Sequence, residues 1–132
     1  MIPLSADLLH RLEIAARLAS EHAYAPYSNF RVGAACVAGS GTVYSGANVE
    51  NASYGLTICA ERNALFQAVA AGERDISAIV VYTPTPAPTT PCGACRQVLC
   101  EFGSAIRVVC CCDGDDVRES ASGDLLPDRF RL

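Results

Sequence analysis

The chain has no tryptophan, one methionine and only two histidines in 132 residues. It also lacks any apolar run approaching the ~20 residues that a membrane-spanning helix needs. Basic residues are few: ten Lys and Arg face fourteen Asp and Glu, for a formal charge of −4. No basic stretch occurs anywhere. Nonspecific nucleic-acid binding depends on neutralising phosphates with Lys and Arg, so a small neutral ligand suits this chain better than a polyanion. Met1 to Asp7 shows no basic segment running into an apolar core, which excludes a visible secretory signal and sets a cytoplasmic expectation. Internal repeats, low-complexity tracts and long linkers are missing too. A single domain over residues 1–132 is therefore expected.

What is present is apolar side chain and sulfur. Hydrophobic residues make up 51% of the chain, too many for a disordered polymer. Eight cysteines without a secretory signal argue for a reducing compartment, where thiols pack or bind metal rather than pair.

Three of those cysteines have metal-ligand spacing. Cys59-Ala60-Glu61 is followed by Pro91-Cys92-Gly93-Ala94-Cys95. Three thiolates hold one zinc ion and leave the fourth tetrahedral position open, as a catalytic zinc requires and a structural zinc does not. His10 and His22 fall on the predicted first helix and are read as surface or packing residues, so no fourth ligand is in view. Glu61 stands two residues from the first sulfur, placed to move protons at the open position. Arg62 follows it as a natural donor to the sulfurs, offsetting the negative charge that three thiolates leave on Zn²⁺. The other five cysteines, Cys36, Cys100, Cys110, Cys111 and Cys112, read as small buried hydrophobes. Three consecutive cysteines in a strand cannot share a face, which argues against a second joint metal site.

Ser5 is a predicted N-cap for a helix over about residues 5–22. Pro26 places residues 23–29 in a loop. Segments 31–37 and 42–47 form a predicted hairpin around Gly39-Ser40-Gly41. A polar stretch, 48–57, leads to a helix from near Cys59 to Gly72, a suitable C′ residue. Continuous apolar character makes 76–82 a strand buried on both faces. The proline-rich stretch 83–91 must be a loop, with Pro91 at the start of a helix from Cys92 to Phe102. Strand 106–111 and a short extended piece near 117–119 complete the order. Such an alternation calls for a sheet covered by helices. It also sets Cys59, Cys92 and Cys95 at two helix starts, where free N–H groups and the dipole favour thiolates.

The motifs resemble the cytidine deaminase family, in particular its small homotetrameric type with three cysteine ligands. The resemblance is carried by residues 23–35 (Ala-Tyr-Ala-Pro-Tyr-Ser-Asn-Phe-Arg-Val-Gly-Ala-Ala), by Asn48-Val-Glu-Asn-Ala-Ser-Tyr54, by Cys59-Ala-Glu-Arg62, by Pro91-Cys-Gly-Ala-Cys-Arg-Gln97 and by Leu125-Leu-Pro-Asp-Arg-Phe130. It implies a three-layer α/β/α fold with a central mixed sheet of about five strands. It further implies one Zn²⁺ per subunit on Cys59, Cys92 and Cys95, with Glu61 as the proton shuttle. The substrate is then free cytidine or 2'-deoxycytidine, hydrolysed to the uridine nucleoside and ammonia. Asn48 and Glu50 would take the ribose hydroxyls, and Phe30 would pack on the pyrimidine. The Ala60 N–H would meet the ring carbonyl and the Thr90 carbonyl the amino group. Ala52, Tyr54 and Phe130 match segments that reach a neighbouring subunit's site, so a homotetramer is implied. Alternatives are a blasticidin-S-type, deoxycytidylate or nucleic-acid deaminase, and a noncatalytic zinc-stabilised module in which Glu61 has no purpose. Asn48-Val-Glu50 and the absence of an Arg/Lys cluster near the motifs favour a free nucleoside.

Overall fold

The computed structural model describes all residues, 1–132. Helix α1 spans Ala6–Ser20, and Ser5 caps it by accepting from the Leu8 N–H at 3.1 Å. Strands β1 (Gly33–Ala38) and β2 (Val43–Ala47) form the expected hairpin. A short 3₁₀ turn at Tyr54–Leu56 precedes α2 (Ala60–Ala70), after which Gly72 adopts a φ of 93°. Strand β3 (Ile76–Tyr82), helix α3 (Gly93–Phe102), β4 (Arg107–Cys111) and β5 (Arg118–Ala121) follow. A second 3₁₀ turn, Ser122–Leu125, was not anticipated from sequence. Helix α3 also starts one residue later than expected, at Gly93 rather than Cys92, because Cys92 is its N-cap.

The five strands form one mixed sheet in the order β2-β1-β3-β4-β5. Side chains alternate across it with period two, and this sorts the core into two layers. Ala34, Cys36, Ile79, Val81, Val108 and Cys110 face Ala64, Leu65 and Ala68 of α2 and Leu99 of α3. Ala35, Val37, Ala78, Val80 and Cys111 face Leu12 and Ala16 of α1. β1 and β3 are thus covered on both sides, giving the three-layer α/β/α arrangement. The cysteine run obeys the same rule. Cys110 enters one layer and Cys111 the other, while Cys112 lies just past β4 with its Sγ among the carbonyls of Pro86, Gly114 and Asp116. Burial pushes the thiols of Cys36 and Cys111 up to about 12 and that of Cys110 to about 11, so these are packing residues.

Two glycines let the helices approach. A Cβ on Gly33 would stand 1.8 Å from the Ala16 carbonyl oxygen, and one on Gly46 2.5 Å from the Ala64 nitrogen. α1 and α2 therefore rest directly on strand backbone. From α2, the Asn63 and Gln67 amides also donate to the carbonyls of Ala47 and Ser45 on the edge strand β2.

β1 runs antiparallel to both β2 and β3, so β2 and β3 point the same way. Each leads through a connecting segment into a helix, β2 into α2 and β3 into α3. Two helix N-termini consequently meet at one end of the sheet, where α/β proteins hold their ligands.

Candidate active site

Cys59 is the N-cap of α2 and Cys92 the N-cap of α3, with Cys95 in the first turn of α3. Neither cap residue's side chain accepts from a backbone N–H of its own helix, in contrast to Ser5 on α1. The first N–H groups of α2 and α3 stay free for a ligand. The three sulfurs gather within 4.8 Å of one another, at 3.7 Å from Cys59 to Cys92 and 3.6 Å from Cys92 to Cys95. Tetrahedral ligands at about 2.3 Å from one zinc ion lie roughly 3.8 Å apart. The donor set therefore fits zinc in both chemistry and spacing.

Electrostatics agree with this fit. The Cys59 thiol is pushed down to about 5, first by its hydrogen bond with Cys95 and then by Arg62, whose guanidinium donates to the Cys59 sulfur at 3.4 Å. The same contact with Cys59, together with burial, pushes Cys95 up. The cluster ionises one sulfur readily and resists the next, so three thiolates require a cation among them. Arg62 stands where the sequence reading put it.

Next to the sulfurs a cavity of about 300 Å³ opens. Its wall is formed by Cys59, Ala60, Glu61 and Cys92 together with Phe30, Asn48, Glu50 and Thr90. Glu61 is only 6% exposed, and burial is the first cause raising its carboxyl above the usual range, with the Cys59 charge adding to it. A carboxyl with a raised pKa takes and returns protons more readily near neutral pH.

Asn48, Val49 and Glu50 run extended, Val49 bridging Tyr24 and Ile58, so Asn48 and Glu50 face the cavity together. The Asn48 amide accepts from the Val32 N–H at 2.9 Å and donates to the Phe30 carbonyl at 2.7 Å. Its second N–H is left for a ligand. Asn29, at φ 59°, takes the left-handed turn that asparagine tolerates immediately before Phe30. Glu50 accepts from the N–H groups of Tyr27 and Ser28 and from the Ser28 hydroxyl, and the hydroxyl bond is the first cause lowering its carboxyl below the usual range.

Sequence reasoning missed Ser28, Thr57, Thr83 and Thr89 on the cavity wall. Only Ser28 lay within a quoted motif, and a hydroxyl there carries no chemical signal of its own. Three of the residues expected to bind substrate lie outside this cavity. Ala52 is exposed; Tyr54, 75% exposed, meets Tyr27 edge-on at 5.9 Å in a neighbouring hollow; Phe130, 72% exposed, has its carbonyl held by Gln97.

A buried glutamate beside three sulfurs, at helix starts that converge at one end of a sheet covered by helices on both faces, defines a zinc hydrolase of the deaminase type. Residues 8–112 match the family model described as "Cytidine and deoxycytidylate deaminase zinc-binding region", and the chain belongs to that family. It is 51% identical over 113 residues to a cytidine deaminase of Halalkalibacterium halodurans, covering 85% of this chain and 86% of that protein. A crystal structure of cytidine deaminase from Burkholderia pseudomallei superposes with a TM-score of 0.90 at 54% identity, covering 96% of this chain and all of the other. One from Mycobacterium tuberculosis gives 0.79 at 39% identity, covering 94% and 98%.

Proposed function

We propose that this chain hydrolyses free cytidine and 2'-deoxycytidine to uridine and 2'-deoxyuridine with release of ammonia, as in pyrimidine salvage. The observation that carries the reading is one cavity whose wall holds buried Glu61, Cys59 and Cys92 of the three-sulfur cluster, and Asn48 and Glu50. Cys59, Cys92 and Cys95 would hold the zinc ion, which would supply Lewis-acid activation of water and so lower its pKa. Glu61 takes one proton from the attacking water and delivers it to N3 as the water oxygen bonds to C4. A second proton, from the C4 hydroxyl so formed, passes through Glu61 to the amino group, which leaves as ammonia. The Ala60 N–H, free at the first turn of α2, donates to the ring carbonyl, and the Thr90 carbonyl accepts from the amino group. Phe30 packs on the pyrimidine; Glu50 and the remaining Asn48 N–H take the ribose hydroxyls.

No lysine or arginine lines the cavity, and the Glu50 carboxylate opposes a phosphate, which supports nucleoside over nucleotide. The chain is proposed to act as one catalytic domain in the cytoplasm; no helix is long and apolar enough to cross a membrane. Exposed Tyr54 and Phe130 support a homotetramer in which Ala52, Tyr54 and Phe130 complete a neighbour's site.

Loss of the cytosine chromophore is the direct test, with cytidine, deoxycytidine, cytidine monophosphate and blasticidin S compared. Glu61→Gln should lower turnover by at least ~10²–10⁴-fold, the range of one acid–base group, while zinc stays bound. Near-normal turnover in that zinc-loaded variant would refute the assignment of Glu61.

A further inference from the structure

The loop that delivers α3 to the site is poor in backbone bonds. Its near end is tied to the sheet: the Thr83 N–H donates to Cys111 and the Asp113 N–H to Thr85. From Pro86 to Pro91 no residue joins a backbone–backbone hydrogen bond. Prolines leave this stretch short of donors, and it nevertheless ends on a cavity wall and on the ligand Cys92.

Arg96, one residue past the ligand Cys95, holds that far end. Its Nε donates to the Pro91 carbonyl at 2.6 Å, and one terminal nitrogen donates to the Thr90 hydroxyl at 2.9 Å. The other donates to the Leu125 carbonyl at 2.9 Å. No carboxylate pairs with Arg96, so its fork is spent wholly on neutral oxygens of two chain segments. A solvated helix arginine would not satisfy three nitrogens in this way. A planar guanidinium sets the angle between its acceptors as well as their distance, which an ammonium cannot do.

The two loop contacts straddle one peptide unit, the Thr90 carbonyl joined to the Pro91 nitrogen. A peptide is planar and the proline ring holds φ, so anchoring the chain on either side, at the Thr90 side chain and the Pro91 carbonyl, restricts rotation of this unit and with it the direction of the Thr90 carbonyl. That carbonyl accepts no hydrogen bond within the chain, and Thr90 lines the cavity. We propose that Arg96 is a positioning residue that sets the Thr90–Pro91 peptide plane, aiming the Thr90 carbonyl at the exocyclic amino group of the bound pyrimidine. The inference rests on the functional reading above. Its third bond joins this wall to the segment leading to Phe130, whose carbonyl is held by the adjacent Gln97 at 3.1 Å.

The test uses the zinc-loaded full chain, with Arg96→Met and Thr90→Val beside the wild type. Cytidine turnover is read against competitive inhibition by uridine, which has no amino group to offer the carbonyl. Arg96→Met should lower kcat/KM for cytidine by about 100-fold while the uridine inhibition constant moves by less than about 3-fold and zinc remains one per chain. Thr90→Val, which keeps the Pro91 bond, should lose about 3- to 10-fold. Equal losses for cytidine and uridine would mean general loosening and overturn the proposal, as would unchanged kcat/KM in Arg96→Met. Should Arg96→Met fail to fold or to hold zinc, Thr90→Val decides, and full activity there overturns it. A wild type that leaves cytidine intact would refute the functional reading itself, and this inference with it.

Discussion

At the scale of single residues, Ser28 shows how one hydroxyl can organise a binding wall. Its Oγ donates to Glu50 and accepts from the Phe30 N–H at 3.0 Å, coupling the proposed ribose acceptor to the proposed ring support. Because the hydroxyl is the first cause depressing Glu50, its loss should let that carboxyl rise toward its ordinary value. The sign is fixed: a depressed carboxyl stays ionised to lower pH, so Ser28→Ala should protonate Glu50 at higher pH than wild type. A carbon-13 NMR titration of the Glu50 carboxyl reads this directly, and an unmoved midpoint would show that Ser28 does not tune it. Residue chemistry also decided what could be read in advance. Three thiols and a carboxylate at those spacings announce a metal and a proton carrier, because few other arrangements use them together. Ser28 and Arg96 announce nothing, since serine and arginine are common and their roles arise from contacts across 22 and 29 positions of chain.

At the scale of elements, most boundaries were legible because the strands alternate or run apolar and the helices end at recognisable signals. The 3₁₀ turn Ser122–Leu125 was not, for it is held by distant partners: the Ser122 N–H bonds to Ile106 and its hydroxyl to Gly103. The start of α3 was missed by one residue because Cys92, an unusual cap, takes the N-cap position. Close packing of α2 on β2 was hidden as well, since Gly46 looks like any strand glycine. Gly46→Ala should cost about 1–3 kcal/mol by overpacking and lower Tm by several degrees. It should also reduce turnover, because displacing α2 displaces Cys59 and Glu61. Gly55→Ala, where a Cβ meets nothing within 4 Å, is the control and should leave Tm unchanged. Thermal melts of the two variants distinguish local crowding from a general intolerance of alanine.

At the scale of the whole molecule, the proposal of shared sites predicts complementation. Phe130→Ala and Glu61→Gln chains, each impaired alone, should regain turnover when coexpressed, because a mixed oligomer can pair an intact Glu61 with a neighbour's intact Phe130. Activity no greater than the sum of the separate variants would confine each site to one chain.

A sheet of five strands has two rims, and β2 forms one of them. Unpaired rim carbonyls are templates on which a foreign strand can grow. Here Asn63 and Gln67 reach over from α2 and occupy the Ala47 and Ser45 oxygens. The helix that presents the metal ligand and the proton carrier thus also acts as a guard against fibril-like stacking, tying the colloidal behaviour of the molecule to the integrity of its chemistry.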